Sequence, residues 1–305
     1  MGIAGDWGTG TPTAYRVGSQ IASHSPDITI HLGDVYYSGT AQEFHDYFLD
    51  AWPRGTLQTF ALNANHEMYS GGEGYFACAL ATLDQQASYF CLENDHWRIL
   101  GLDTGYYARS VPFLELLMKG WIRLHSTIRT WLAEVVFADA KDRRPVIVLT
   151  HHQWFSAFDT EYRQVGSNLR PYLDRVALWL WAHEHRFAGY GPFGFNGIKV
   201  RARCLGHGGM PIELGKRPER DRNLLFVDQR QASDPNGQPL ELMGKPIGYS
   251  GYAILKFTGP TLCIEYRDEN RTLLLEECWT CGPDGPRVRI LTWNGLTPAT
   301  PPPEF

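Results

Sequence analysis

The strongest constraint on the fold is an alternation of short apolar runs with helical patterns up to about Lys199. The runs are DITIHL, LQTFAL, WRILGLD, RPVIVLT and VALWLWA, and most of them end in a polar residue or a glycine. Apolar residues recur at helical spacing in 13–23, 41–51 and 122–140. Such runs predict strands, and their alternation with helices predicts an α/β fold of layered sheets covered by helices.

The chain after about Lys199 has a different pattern, with strands and long polar loops that lead to the Pro-rich stretch TPATPPPEF. A chain of 305 residues with 43% hydrophobic content can bury one large core. We therefore expect a single domain over residues 1–296, followed by a disordered Pro-rich tail at 297–305.

The charge and hydropathy of the chain exclude two classes of partner. The 28 basic and 33 acidic side chains give a net charge of −5, and the basic runs are short and mixed with acids. This balance predicts binding to neither nucleic acid nor a membrane surface. The longest apolar run, VALWLWA, is well short of the roughly 20 residues of a transmembrane helix. No signal peptide is visible in MGIAGDWG, which favours a soluble, cytoplasmic protein over a secreted one.

The six cysteines give no disulfide framework, because they are few and scattered. Cys278 and Cys281 have the spacing of a metal or redox motif, but no second pair accompanies them. The favoured interpretation is a strand with two packed or disulfide-linked thiols.

Five of the predicted strand ends carry residues that can bind metals. The segments are GDWG, GDVYY, NANHE, VLTHH and AHEH. Each alone is weak evidence, because Asp after Gly is common in turns and helix caps. Five such placements together indicate one site, since the carboxyl ends of strands are where sites assemble in open α/β sheets. The residues concerned are Asp6, Asp34, Tyr37, Asn65, His66, His151, His183 and His185.

The ordered motifs DWG, GDVYY, NHE, VLTH and HEH, spread from residue 6 to residue 185, resemble those of a known family. They are similar to the calcineurin-like metallophosphoesterases and, within these, to the purple acid phosphatases. The resemblance implies a four-layer α-β-β-α sandwich of two mixed sheets with a dinuclear metal site at the strand ends. It also implies a hydrolase that acts on phosphoric ester bonds.

The resemblance further implies which residues bind each of two metal ions. The first ion takes Asp6, Tyr37 and His185, the second takes Asn65, His151 and His183, and Asp34 bridges the two. The chemistry agrees, because two cations roughly 3.5–4 Å apart need a shared carboxylate to reduce their repulsion. Ala64 and Ala182 stand where the family has glycines, but all seven ligand positions are filled, so we expect an intact site.

The identity of the metals depends on Tyr37. Most of the superfamily has a histidine ligand where this chain has Gly8, and the phenol of Tyr37 is expected to replace it. A free tyrosine has a pKa of about 10, so its phenolate needs a strong Lewis acid. We therefore expect Fe(III) in the Tyr37 site and Fe, Zn or Mn(II) in the other. The alternative is that Tyr37 only packs over two divalent ions.

Tyr36, which would point to the opposite side of an extended segment, is expected only to pack.

Three further histidines are candidates for roles in the reaction. His66, next to Asn65, matches the family residue that assists the leaving group, and the alternative is that it orients Asn65 or Glu67. His152 and His207 are candidates for contacts to the substrate or to the metal ligands.

The sequence thus predicts hydrolysis of phosphate monoesters by a metal-held hydroxide, as in an acid phosphatase. The expected substrate is a phosphorylated small molecule or a phosphoprotein. The alternatives are a phosphodiesterase or nucleotide pyrophosphate hydrolase on the same metal centre, and a catalytically idle binding module. The idle module would have lost ligands, and none is lost.

Overall fold

The computed structural model describes residues 1–108, 121–194, 198–282 and 285–299. The strands of the first sheet are β1 (Gly2–Ala4), β2 (Ile28–His31), β3 (Gln58–Ala61), β13 (Gly251–Thr258), β14 (Thr261–Asp268), β15 (Leu273–Gly282) and β16 (Gly285–Trp293). The strands of the second are β4 (Phe90–Glu93), β5 (Arg98–Leu102), β6 (Val146–Thr150), β7 (Val176–Trp181), β8 (Phe187–Phe193), β9 (Val200–Leu205), β10 (Leu224–Val227) and β17 (Thr297–Pro298). A separate small hairpin joins β11 (Glu241–Leu242) to β12 (Lys245–Pro246).

Both sheets are mixed. The first has the order β16-β15-β14-β13-β1-β2-β3, and the second has the order β17-β10-β8-β9-β7-β6-β5-β4. Strands β1, β2 and β3 run parallel in one sheet, and β5, β6, β7 and β9 run parallel in the other. Every residue of β5, β6 and β7 is buried, as expected for parallel strands covered on both faces.

Short helices lie between the strands. They are α1 (Pro12–Ser23), α2 (Ala41–Phe44), α3 (Asn65–Tyr69), α4 (Leu80–Thr82), α5 (Ser126–Trp131) and α6 (Arg163–Leu169). Further helical turns occupy His45–Leu49, Gly74–Ala79, Leu132–Val136 and Arg170–Arg175. Helix α1 begins where Thr11 Oγ1 accepts a hydrogen bond from Ala14 N, with Pro12 in its first turn. No helix in the described ranges is both long and apolar enough to cross a membrane.

Three buried clusters hold four layers together. One lies between the two sheets and includes Ile30 and Leu149. Another packs α1 and the α2 region on the first sheet, and the third packs α5 and α6 on the second. The predicted four-layer α-β-β-α sandwich is therefore confirmed.

The predicted elements match the structure except at their ends. All five apolar runs form strands, namely β2, β3, β5, β6 and β7. The helix predicted over 122–140 is shorter, since helical turns cover only Ser126–Trp131 and Leu132–Val136. The prediction of a disordered tail over 297–305 is wrong at its first residues. Thr297–Pro298 form β17, which pairs with β10, and Ala299 N donates to Leu225 O. The rest of that tail, 300–305, lies outside the described residues.

A disulfide joins two neighbouring strands of the first sheet. Cys278 on β15 is bonded to Cys263, its direct partner on β14, while Cys281 is a free thiol. Among the interpretations of the Cys278 and Cys281 pair, the structure favours a disulfide-linked thiol, but with a partner that the spacing did not indicate.

A buried ion pair connects the two sheets away from the strand ends that carry the motifs. Arg203 on β9 is 1% exposed, and its Nη2 lies 2.5 Å from Oε2 of the fully buried Glu277 on β15. Tyr266 donates its hydroxyl hydrogen to the other oxygen of Glu277 at 2.6 Å. Two carbonyls, those of Tyr190 and Ala202, accept from Arg203 Nη1. Both oxygens of Glu277 and both terminal nitrogens of Arg203 thus have partners inside the core, whereas Arg203 Nε has none among the described residues.

We expect Glu277→Ala to destabilise the protein by about 3–5 kcal/mol, because it leaves the Arg203 cation buried without its partner. The matched control is Glu213→Ala, which breaks an exposed pair with Lys245 and should change stability little. Chemical denaturation measures both. Equal unfolding midpoints for the two variants would show that the buried pair contributes no more than the exposed one.

Candidate metal centre

Three of the motif residues lie where the chain turns sharply after β1, β2 and β7. Asp6, Asp34 and His183 have positive backbone φ angles of 54°, 74° and 67°, which residues other than glycine rarely adopt. Gly33, with φ of 99°, precedes Asp34. Such backbone conformations cost about 1–3 kcal/mol each and cluster at functional sites.

Three contacts join the edges of the two sheets at this point. Asp6 Oδ2 accepts a hydrogen bond from His183 N at 2.8 Å. His151 Nδ1 lies 3.0 Å from Leu32 O. Asn63 Nδ2 lies 3.1 Å from Oδ1 of Asp103, the buried residue that follows β5. Side chains from both sheets are thus held in one place.

One cluster of metal-binding atoms comes from Asp6, Asp34, Tyr36 and His185. The hydroxyl oxygen of Tyr36 lies 2.8 Å from Asp6 Oδ1, 3.0 Å from Asp34 Oδ2 and 3.0 Å from His185 Nε2. His185 Nε2 lies 3.2 Å from Asp6 Oδ1. Two carboxylates, a phenol and an imidazole thus converge.

The phenol in this cluster belongs to Tyr36, so the prediction that Tyr37 fills this position is wrong. Tyr36 is 2% exposed, whereas Tyr37 is 72% exposed and directed to solvent. The prediction that Tyr36 only packs assumed that the segment continues β2 as an extended strand, but β2 ends at His31. Instead, Tyr36 N binds Gly8 O, and the carboxylate of Glu43 accepts from Tyr37 N, which turns the chain away after Tyr36.

The second cluster contains Asn65, His151 and His183, as the resemblance implied. His151 Nε2 lies 3.0 Å from Asn65 Oδ1, 3.2 Å from His183 Nδ1 and 3.4 Å from Asp34 Oδ2. The same Asp34 oxygen contacts Tyr36 in the first cluster. The structure therefore places Asp34 between the two clusters, where a bridging carboxylate has to lie.

Hydrogen bonding sets the protonation of His151. A carbonyl oxygen can only accept, so Nδ1 carries the hydrogen that is donated to Leu32 O. In the neutral ring this leaves the lone pair on Nε2, which faces Asn65 and Asp34. The hydrogen bond to Leu32 therefore selects the tautomer that binds a metal ion through Nε2 once the Nε2 proton is released.

The two clusters fit a pair of cations. Ligand atoms about 2.1 Å from one ion, at right angles to one another, would be about 3 Å apart, close to the spacings seen here. The electrostatics agree. Burial lowers the pKa of His151, but the Asp34 carboxylate more than offsets this and raises it to about 9. The site therefore stabilises positive charge where acceptor atoms of Asp34, Asn65 and His151 converge.

At Tyr36, the surroundings favour the neutral side chain. Burial, followed by the charges of Asp34 and Asp6, raises its pKa well above 10. The phenol is accordingly neutral unless a cation stabilises the phenolate. The argument for a strong Lewis acid therefore applies to Tyr36 in place of Tyr37.

His66 lies beside both clusters without belonging to either. Its Nδ1 donates to Tyr37 O at 2.6 Å, and its Nε2 lies 3.9 Å from Asp34 Oδ2. The side chain is 20% exposed, so the ring is partly accessible to solvent beside the two clusters. Glu67 is buried behind it and accepts from Val35 N.

The structure separates the two remaining histidine candidates. His152 is fully buried, with Nδ1 2.9 Å from Thr104 Oγ1 and its ring 4.8 Å from that of His183. It therefore contacts a metal-ligand candidate. His207 is not brought to the site, because its buried ring stacks on Phe187 with the centroids 5.2 Å apart.

Sequence reasoning missed three residues of this region: Tyr36, Thr104 and Tyr162. Tyr36 was visible in GDVYY but was rejected on the extended-strand argument. Thr104 lies 48 residues from its partner His152, and Tyr162 lies 21 residues from its partner His183. No spacing rule links residues so far apart, so the sequence carries no signal for either contact.

The fold and the two clusters define a two-sheet protein with a candidate dinuclear metal centre. A family model described as calcineurin-like phosphoesterase matches residues 2–187. The chain therefore belongs to the calcineurin-like phosphoesterase family. A comparison of the sequence with curated proteins gives no significant match.

Solved structures with the same fold include two phosphatases and PhoD. A purple acid phosphatase, PPD1, from yellow lupin (Lupinus luteus) seeds has a TM-score of 0.63 at 17% identity, with 91% of this chain and 52% of that chain covered. PhoD has a TM-score of 0.58 at 12% identity, with 96% and 72% covered. A dimetal phosphatase from Danio rerio has a TM-score of 0.51 at 11% identity, with 88% and 95% covered. The present chain thus spans about half the length of the lupin protein.

A pair of variants tests which tyrosine belongs to the site. In protein reconstituted with iron and zinc, Tyr36→Phe should lower iron content and abolish phenolate-to-iron absorption, because the phenol lies among Asp6, Asp34 and His185. Tyr37→Phe is the matched control and should keep both, because its ring is in solvent. Metal analysis and visible spectroscopy make the measurement. Loss of absorption in Tyr37→Phe alone would restore the assignment made from the motif.

Proposed function

We propose that this protein hydrolyses phosphate monoesters at a dinuclear metal centre. The single observation that carries the proposal is the position of Asp34, whose Oδ2 contacts Tyr36 of one cluster and His151 of the other. A carboxylate shared by two sets of ligand atoms is the arrangement that two-metal hydrolysis requires. The family match supports phosphoester chemistry.

Asp6, Asp34, Tyr36 and His185 would hold one cation, and Asp34, Asn65, His151 and His183 would hold the other. Bound there, two cations would neutralise the phosphoryl oxygens and lower the pKa of water so that solvent supplies the nucleophile. No serine or cysteine nucleophile is then needed. With Tyr36 as phenolate, Fe(III) suits the first position, and Fe, Zn or Mn(II) suits the second.

His66 is positioned to assist the leaving group. Its Nδ1 is fixed by the carbonyl of Tyr37, and its Nε2 lies 3.9 Å from Asp34 Oδ2, beside both clusters. A protonated Nε2 can donate to the departing alkoxide or phenoxide oxygen. The ring also packs at a tilted angle against two tyrosines, with its centroid 4.2 Å from that of Tyr36 and 4.8 Å from that of Tyr69.

The proposed substrate remains a phosphorylated small molecule or a phosphoprotein. The proposed location changes, because the Cys263–Cys278 bond favours an oxidising compartment over the predicted cytoplasm.

We expect His66→Ala to lower kcat by about 10²–10⁴-fold, because it removes the proton donor. Metal content should stay at the wild-type level, since His66 supplies no atom to either cluster. Activity assays and metal analysis on the same preparation separate these effects. Loss of metal in this variant would assign His66 to holding Asn65 instead.

Substrate class is tested with an aryl phosphate monoester and its matching diester, assayed with iron plus zinc or manganese from acid to neutral pH. The proposal expects fast turnover of the monoester and little of the diester. A diester preference would overturn it in favour of a phosphodiesterase on the same centre. Hydrolysis of neither, by metal-loaded protein, would favour the idle binding module.

A further inference from the structure

Tyr162 contacts the second cluster from a loop that no motif covers. Its hydroxyl oxygen lies 3.1 Å from Nε2 of His183, and its side chain is buried, with 4% of the residue exposed. Its ring packs edge-on against His152, with the centroids 4.9 Å apart. The other nitrogen of His183, Nδ1, is the one that faces His151.

We propose that Tyr162 is a positioning residue for the second metal ion, and this rests on the proposed dinuclear function. A histidine that binds a cation through Nδ1 carries its proton on Nε2 and needs an acceptor there. The phenol oxygen of Tyr162 is that acceptor. The contact fixes both the tautomer and the rotation of the His183 ring, so that the Nδ1 lone pair points at the second site.

His183 depends on such support more than His151 does. A backbone carbonyl, that of Leu32, holds His151, whereas a side chain on a separate loop holds His183. The backbone of His183 is in the left-handed region, and its amide donates to Asp6 Oδ2. Rotation about its side-chain bonds is therefore restrained mainly by its packing and by Tyr162.

The loop that carries Tyr162 is fixed at both ends. Tyr162 N donates to Gln153 O, and Gln153 Nε2 donates to Thr160 O at 2.7 Å. These two hydrogen bonds join the beginning of the 153–162 loop to its end. Directly before Tyr162, the carboxylate of Glu161 lies 2.5 Å from Arg222 Nε. A loop held in this way presents the phenol at a fixed distance from His183.

The test uses metal binding by itself. Metal-stripped protein is titrated with Zn²⁺ against a chelating indicator, which should show two binding steps for the wild type. His183→Ala should abolish one step and so identify the second site. Tyr162→Phe keeps the ring and its packing, and should weaken that same step by about 10–100-fold while leaving the other unchanged. Tyr172→Phe, whose ring stacks on Phe137 before β7, is the control and should change neither step.

Two results would overturn the inference while leaving the proposed function intact. One is a wild-type affinity for both steps in Tyr162→Phe. The other is an equal weakening of both steps together with a lower melting temperature of the stripped protein, which would indicate a general structural role. If wild-type protein showed fewer than two steps, the proposed dinuclear function would fail and the inference with it.

Discussion

The site depends on one buried carboxylate, that of Asp34, which the two sheets enclose from both sides. It is 1% exposed and contacts Tyr36 and His151, one from each sheet. Burial alone would raise the pKa of Asp34, yet His151 and His66 hold it well below its usual range. A buried negative charge of this kind requires nearby positive charge, so the geometry of both clusters follows from satisfying Asp34.

The sandwich provides this arrangement because two parallel sets of strands end at the same edge. Hydrogen bonds such as those from His183 N to Asp6 and from His151 to Leu32 lock that edge across the sheets. The buried Arg203 and Glu277 pair joins the same two layers elsewhere. Rigid layers then allow short turns to hold Asp6, Asp34 and His183 in backbone conformations that would be unfavourable in a mobile loop.

Much of the fold was predictable, because buried parallel strands are continuous apolar runs and each of the five runs formed a strand. The errors lie where tertiary contacts override local pattern. The helix expected over 122–140 covers only Ser126–Trp131 and Leu132–Val136, and the expected tail contributes β17 by pairing with β10. Apolar periodicity is a local property, whereas the ends of elements depend on which neighbours are present.

The sequence by itself determined the layered α/β class and the resemblance to the phosphoesterase family, and it pointed to six of the seven residues in the predicted ligand set, because these residues lie within four residues of the ends of strands whose pattern is local. Only the tertiary structure decided that Tyr36, and not Tyr37, enters the site, since the turn there is set by Gly8 and Glu43. It alone excluded His207 and added Tyr162. The physical reason is that the direction of a side chain after a strand depends on the hydrogen-bond partners of its backbone, and those partners come from distant parts of the chain.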